Sequence, residues 1–251
     1  MNRTIAFEGV VGSHNYFLNR EDSDKDKKTF YYPSFEDLYS GDKQSIALVS
    51  KMEDNELHDI RKYPMMLYKA NVNFIEPLFS VEIAKKDELF EELIVLREDI
   101  ARMNLPYLFD ACFLGMFDRK YREFLRDTNY IDLLESEEER RKKINKHVMV
   151  GYRILDFLER YANTNFESFE QAIRYRHEVE DERVMKEQLF AFRDGRYTDP
   201  VMEEMLLRKK ERVAKLKDVY KSYSINHSLN QHIQKRVKEH VRLNLLKEFN
   251  Q

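Results

Sequence analysis

The sequence has no tryptophan, a single cysteine, six glycines and five prolines in 251 residues. Cys112, being alone, excludes an internal disulfide, and without a CxxC pair or a Cys/His cluster there is no zinc-site spacing. A lone thiol fits a reducing compartment, so the expected location is cytoplasmic. So few helix breakers, with 35% charged residues, point to long helices. No apolar run approaches the roughly 18–20 residues of a membrane span. The opening MNRTIAFEGVVGSHNYF carries no apolar leader core, so no cleaved leader is expected. Charge of one sign is lacking too: a net charge of −3 excludes a basic nucleic-acid coat and an acidic tail.

What is present divides in two. Thr4–Val11 is a short apolar run closed by Gly12 and reads as a strand. Asp24–Tyr32 reads as a second strand, and Pro33-Ser34 opens a short helix that Gly41 stops. Ile46–His58 reads as a third strand; extended backbone would put Met52, Asp54, Glu56 and His58 on one face. Asp59–Ala70 reads as helix. From about residue 86 the periodicity is helical, over 87–103, 106–127, 136–162, 181–193, 198–223 and 226–249. In the third of these, Ile144, Val148, Gly151, Leu155 and Leu158 share a face. The expected fold class is α+β: a small mixed-sheet core over 1–85, then a mainly helical domain over 86–251.

The stretch GSHNYFLNREDSDKDKK, residues 12–28, carries the chemistry. Gly12-Ser13 after a strand leaves backbone N–H groups free for phosphate oxygens, and Gly12 permits close approach. Asp24-x-Asp26 on a strand projects two carboxylates to one side, where they repel unless a cation lies between them. Mg²⁺ (or Mn²⁺) suits such a pair because it prefers a few carboxylates plus substrate phosphates. A third carboxylate on a neighbouring strand would complete a two-metal site; Asp54 is the choice and Glu56 the reserve. His14 and Asn15 are read as loop supports and His58 as a structural histidine. Lys142, Lys146 and Arg153 share a helical stripe, a salt-bridged surface or a wall reaching the triphosphate. Residues 205–251 hold twelve Lys and Arg against four Asp and Glu, either solvated helix or a surface for a nucleic-acid acceptor.

GSHNY followed by DSDKDKK resembles the Gly-Ser…Asp-x-Asp signature of DNA polymerase β-type nucleotidyltransferases. More narrowly it is similar to an RNA-ligase-associated branch, many of whose members are phage-encoded. Asp59-Ile60-Arg61-Lys62 and the run Lys69–Ser80, KANVNFIEPLFS, look like that branch's next two segments. Lys146-His147, Arg153 and Phe192-Arg193-Asp194-Gly195-Arg196 are similar to its elements in the helical half. Phe17 departs from the pattern, standing where relatives often have glycine.

The resemblance implies a metal-dependent nucleotidyltransferase with Asp24, Asp26 and Asp54 as metal ligands and catalytic carboxylates. Gly12, Ser13, Tyr16, Lys146 and Arg153 would bind the nucleotide across a cleft between the halves. Transfer of NMP from an NTP to a hydroxyl, such as a tRNA or other RNA 3′ end, is the expected reaction. A protein or small-molecule acceptor is the alternative, and a non-catalytic nucleotide- or partner-binding module from phage–host conflict is a third. For a phage-encoded protein the location would be the host cytoplasm.

Overall fold

The computed structural model describes residues 3–21, 23–41, 45–49, 53–129 and 136–250. It falls into two compact units, one formed by residues 1–104 with 225–251 and the other by 105–224. The sequence boundary at 85 does not coincide with this division. Residues 86–104 and the last helix cluster with the N-terminal unit, because their apolar faces are buried there.

The first unit is built on five strands: β1 (Ile5–Val11), β2 (Lys25–Tyr31), β3 (Ser45–Val49), β4 (Glu53–Asp59) and β5 (Ile83–Lys86). Their order across the sheet is β3-β4-β2-β1-β5, with β2 and β4 parallel and the other neighbours antiparallel. The single strand expected over 46–58 is therefore two strands that turn back on each other. Met52, with residues 50 and 51, lies outside the described residues, so its expected place beside Asp54 is not described. The strand β5 was not foreseen. Its four side chains are all exposed, so it carries no burial alternation, and it exists by pairing with distant β1.

Helices α1 (Phe35–Tyr39), α2 (Tyr63–Tyr68), α3 (Val72–Ile75), α4 (Glu88–Val95) and α5 (Arg97–Ala101) complete this part of the chain. Ser34 begins α1 with a reciprocal cap to Asp37, and Asp87 begins α4 by accepting from the Phe90 N–H. The core is aromatic. Phe30 packs on Tyr63 at 4.4 Å between centroids and on Phe90 at 5.5 Å, and Phe7 stacks on Phe90 at 4.5 Å. All four rings are fully buried, and each removes an area that at about 25 cal/mol per Å² makes such clusters dominate stability.

The second unit holds α6 (Leu105–Asp110), a π-helical stretch Ala111–Phe117, α7 (Asp118–Asn129), α8 (Glu137–Asn163), α9 (Phe169–Ile173), α10 (Glu180–Arg193), α11 (Asp199–Ala214) and α12 (Lys217–Lys221). The helix expected over 106–127 is thus interrupted by wider turns. The five residues predicted to face inward from α8 are all buried. Ser136 and Glu139 cap that helix reciprocally, and Glu137–Glu139 lie in its first turn, where the helix dipole favours negative charge. The final helix, α13 (His227–Phe249), buries Ile233, Val237 and Val241 in the first unit and packs on α2 and α4. No helix among the described residues is long and apolar enough to cross a membrane.

Candidate nucleotide and metal site

The β2–β4 register sets the site. Parallel pairing places Asp26 opposite Asp54, Lys28 opposite Glu56 and Phe30 opposite His58. Alternation keeps these six residues on one face, which grades from carboxylates through an ion pair to the aromatic core. Asp26 and Asp54 are both half-buried, and Asp24 lies exposed one residue ahead of β2.

Glu56, the reserve carboxylate, is committed elsewhere. Its Oε2 lies 3.2 Å from His58 Nε2 and 3.0 Å from the Nζ of buried Lys28. The hydrogen bond to His58, with the Lys28 charge acting against the cost of burial, holds the Glu56 carboxyl down at about 2. Asp54, facing Asp26 with no lysine opposite, is the better-placed third acid. His58 is structural as expected: Nδ1 meets Ser45 Oγ at 2.9 Å, and the ring packs on Phe74.

On the other side of β2, Val11 at the end of β1 pairs with Asp26, so Gly12 begins its turn beside that carboxylate. A Cβ on Gly12 would lie 2.5 Å from Asp26 Oδ2, and Gly12 has φ +71°. Contact and conformation both require glycine. The following turn is closed by Tyr16 N–H to Gly12 O at 3.1 Å and Leu18 N–H to Ser13 O at 2.8 Å. Among the described residues none accepts from the N–H groups of Ser13, His14 or Asn15, the usual situation for the first amides of a helical turn.

Two expectations change here. The Gly12 N–H is not free for phosphate: it donates to Glu76 Oε1 at 2.5 Å. Tyr16 does not offer its ring to a nucleotide: it is 5% exposed and its hydroxyl donates to Glu76 Oε2. Asn15, fully buried, adds Nδ2–H to the same carboxylate at 3.4 Å and accepts from the Val81 N–H at 3.1 Å. His14 Nε2–H donates to the Ser23 carbonyl at 3.2 Å, tying the turn to the residue before Asp24. Both therefore support the loop, as expected from the sequence. Phe17 takes φ 61°, the left-handed backbone that explains why glycine would suit that position.

Glu76 was missed as a site residue. It belongs to the quoted KANVNFIEPLFS run, but nothing in a sequence separates a buried carboxylate from a solvated one. The rest of that run is punctuation: Ala70 ends α2 at φ 44°, and the Asn71 side chain caps α3 by accepting from the Asn73 N–H at 3.1 Å. In the neighbouring segment, Asp59 is buried, caps the turn after β4 and holds Arg61 by an ion pair at 2.6 Å. Lys62 reaches Ser45 Oγ at 2.8 Å.

In the second unit, Lys146 is exposed and Arg153 half-buried on α8. Lys142 is ion-paired with Glu138 at 2.7 Å. His147 sits between Glu123 and Asp127, at 3.2 and 3.0 Å. Gly195, at φ +67°, stops α10 by donating to Phe192 O at 3.0 Å while Arg196 N–H reaches Ala191 O at 3.0 Å. A Cβ on Gly195 would meet Asn145 Nδ2 at 2.9 Å. Cys112 is buried, which pushes its thiol up to about 12 and excludes it as a nucleophile near neutral pH.

The basic excess of residues 205–251 is divided between the two units, and much of it is paired within them. Lys209 is 3% exposed between Asp156 and Glu159, at 2.7 and 2.5 Å, and Arg212, Lys210, Lys221 and Arg236 pair with Glu159, Asp118, Asp110 and Glu92.

Among the described residues no three His, Cys, Asp or Glu are arranged to hold a metal ion by themselves. Two carboxylates in register, one of them packed against a glycine, instead fit a hard cation shared with a substrate's phosphate oxygens. No curated protein matches the chain. The profile of the RNA repair pathway DNA polymerase beta family matches residues 2–194. That span covers the Gly12 turn, β2, β4 and the Glu76 segment, and extends through α8 to Asp194. The chain belongs to the RNA repair pathway DNA polymerase beta family, within the DNA polymerase β superfamily of nucleotidyltransferases.

Proposed function

We propose that this protein transfers a nucleoside monophosphate from an NTP to the 3′ hydroxyl of an RNA, with tRNA the first candidate. The observation that carries the reading is the register of Asp26 with Asp54 beside a glycine that could bear no side chain. Asp24, Asp26 and Asp54 are the proposed ligands for Mg²⁺ or Mn²⁺. When bound, such an ion neutralises triphosphate charge and lowers the pKa of a coordinated hydroxyl. The chain's own contribution is placement. The Ser13 and His14 amides are the proposed donors to phosphate oxygens, Gly12 lets the turn pack against Asp26, and Lys146 and Arg153 are proposed as cationic triphosphate contacts on the strength of the resemblance. The attacking hydroxyl displaces pyrophosphate at the α-phosphorus, so catalysis rests on positioning and charge compensation.

The RNA acceptor is supported by the family's place in RNA repair. The test incubates each labelled NTP with Mg²⁺ and total tRNA, total RNA or cell protein. The double variant Asp24→Asn/Asp26→Asn is expected to lose transfer while keeping its fold. Transfer retained in that variant overturns the site, and label on protein alone overturns the acceptor.

A further inference from the structure

We propose that Glu76 is a positioning residue that sets the conformation of the Gly12–Phe17 turn and thereby the nucleotide-binding amides; this rests on the nucleotide-site reading above. Glu76 is 3% exposed, so its carboxylate has given up water. Three donors that replace water come from one short segment. Gly12 contributes its N–H at 2.5 Å, Asn15 its Nδ2–H at 3.4 Å and Tyr16 its hydroxyl. Asn15 also reaches the Glu76 carbonyl, at 3.5 Å, so side chain and main chain of one residue grip the turn.

A carboxylate accepts at two oxygens in one plane, and here each oxygen takes a different part of the turn. Oε1 takes the first residue, Gly12, and Oε2 takes Tyr16, four residues on. The distance between the two oxygens therefore holds the ends of the turn together. That grip fixes the turn in which the Ser13 and His14 amides have no acceptor among the described residues, and it holds Gly12 against Asp26. Glu76 occupies the one Gly12 amide that would otherwise compete for the same anion. It does this from a segment 60 residues downstream of Tyr16, so the turn's shape does not depend on its own short-range bonds alone.

The experiment uses the full chain with Glu76→Ala, Glu76→Gln and Tyr16→Phe, and Lys209→Met in the other unit as a control for lost stability. Two quantities are read: hydrogen exchange of the peptide covering residues 12–17, and titration with non-hydrolysable ATP, GTP, CTP and UTP analogues plus Mg²⁺. Glu76→Ala is expected to speed exchange of that peptide and to weaken the best analogue at least tenfold. Glu76→Gln, which keeps one carbonyl for Gly12, should fall between Ala and wild type. Lys209→Met should leave both readings unchanged at temperatures where it is folded. Should Glu76→Ala not fold, Tyr16→Phe, lacking one hydroxyl, carries the test with a smaller change in the same direction. Wild-type exchange in the folded variants overturns the proposal, as does wild-type affinity with faster exchange. If the wild-type chain binds none of the analogues, the nucleotide reading itself falls. Exchange alone then decides whether Glu76 organises the turn.

Discussion

Gly12 stands between two carboxylates, Glu76 accepting from its amide and Asp26 lying where its side chain would be. Gly12→Ala should therefore act twice. The left-handed backbone costs about 1–2 kcal/mol with a Cβ, and the Asp26 carboxylate must swing away. Chemical denaturation should show the first effect, and a loss of nucleotidyl transfer larger than the stability loss explains should show the second. Phe17→Gly is the contrasting case: relief of its positive φ offsets lost packing, so stability should stay within about 1 kcal/mol of wild type in the same denaturation experiment. At this scale the sequence was readable where chemistry is local. Type and spacing singled out Gly12, Ser13 and the paired aspartates, and the structure packs Gly12 against Asp26. The roles of Tyr16 and Glu76 were hidden because burial joins residues far apart in the chain.

Along strands β2 and β4 the same register that pairs Asp26 with Asp54 also pairs Lys28 with Glu56. The Glu56 carboxyl is held at about 2, first by the hydrogen bond from His58 and, against burial, by Lys28. A carboxylate with a folded pKa below its ordinary 4.5 stabilises the fold fully above that pH and loses the contribution as pH falls through about 2. Glu56 is partly exposed, so screening reduces the effect to about 1 kcal/mol. Glu56→Gln should be destabilised at pH 7, and in denaturant titrations the gap to wild type should narrow as pH falls from about 4.5 towards 2. In α8 and α11 the stakes are higher. Lys209→Met strands the buried Asp156 carboxylate, which at about 3–5 kcal/mol should dominate a melting curve, and Lys209→Met/Asp156→Leu should recover much of it. Elements with a repeating apolar face, such as α8, could be placed from the sequence alone. β5 could not, since none of its side chains is buried and its only signature is pairing with β1.

For the whole molecule, internal pairing decides how an RNA would be held. Of the twelve cations in 205–251, Lys215, Lys217, Lys238, Arg242 and Lys247 have no acidic partner among the described residues. Each phosphate neutralised on a single strand contributes about 0.7 to the salt slope of binding. A filter-binding titration should then give a slope from this segment of about −3.5 or shallower, not the roughly −8 that twelve free cations would produce. Charge counting from sequence overstated this surface because it cannot see which cations face their own carboxylates.

The order in which the chain becomes available gives α13 a further consequence. Its buried face belongs to the unit that carries Asp26 and Asp54, yet 120 residues of the other unit, 105–224, are synthesised in between. At about 5–20 residues per second, a ribosome holds the site-bearing unit without its last helix for several seconds or more. During that interval the surface of α2 and α4 that receives Ile233, Val237 and Val241 is uncovered. A released chain ending at residue 224 should be protease-sensitive in the first unit while the second is resistant. Supplying 225–251 as a separate peptide should restore protection.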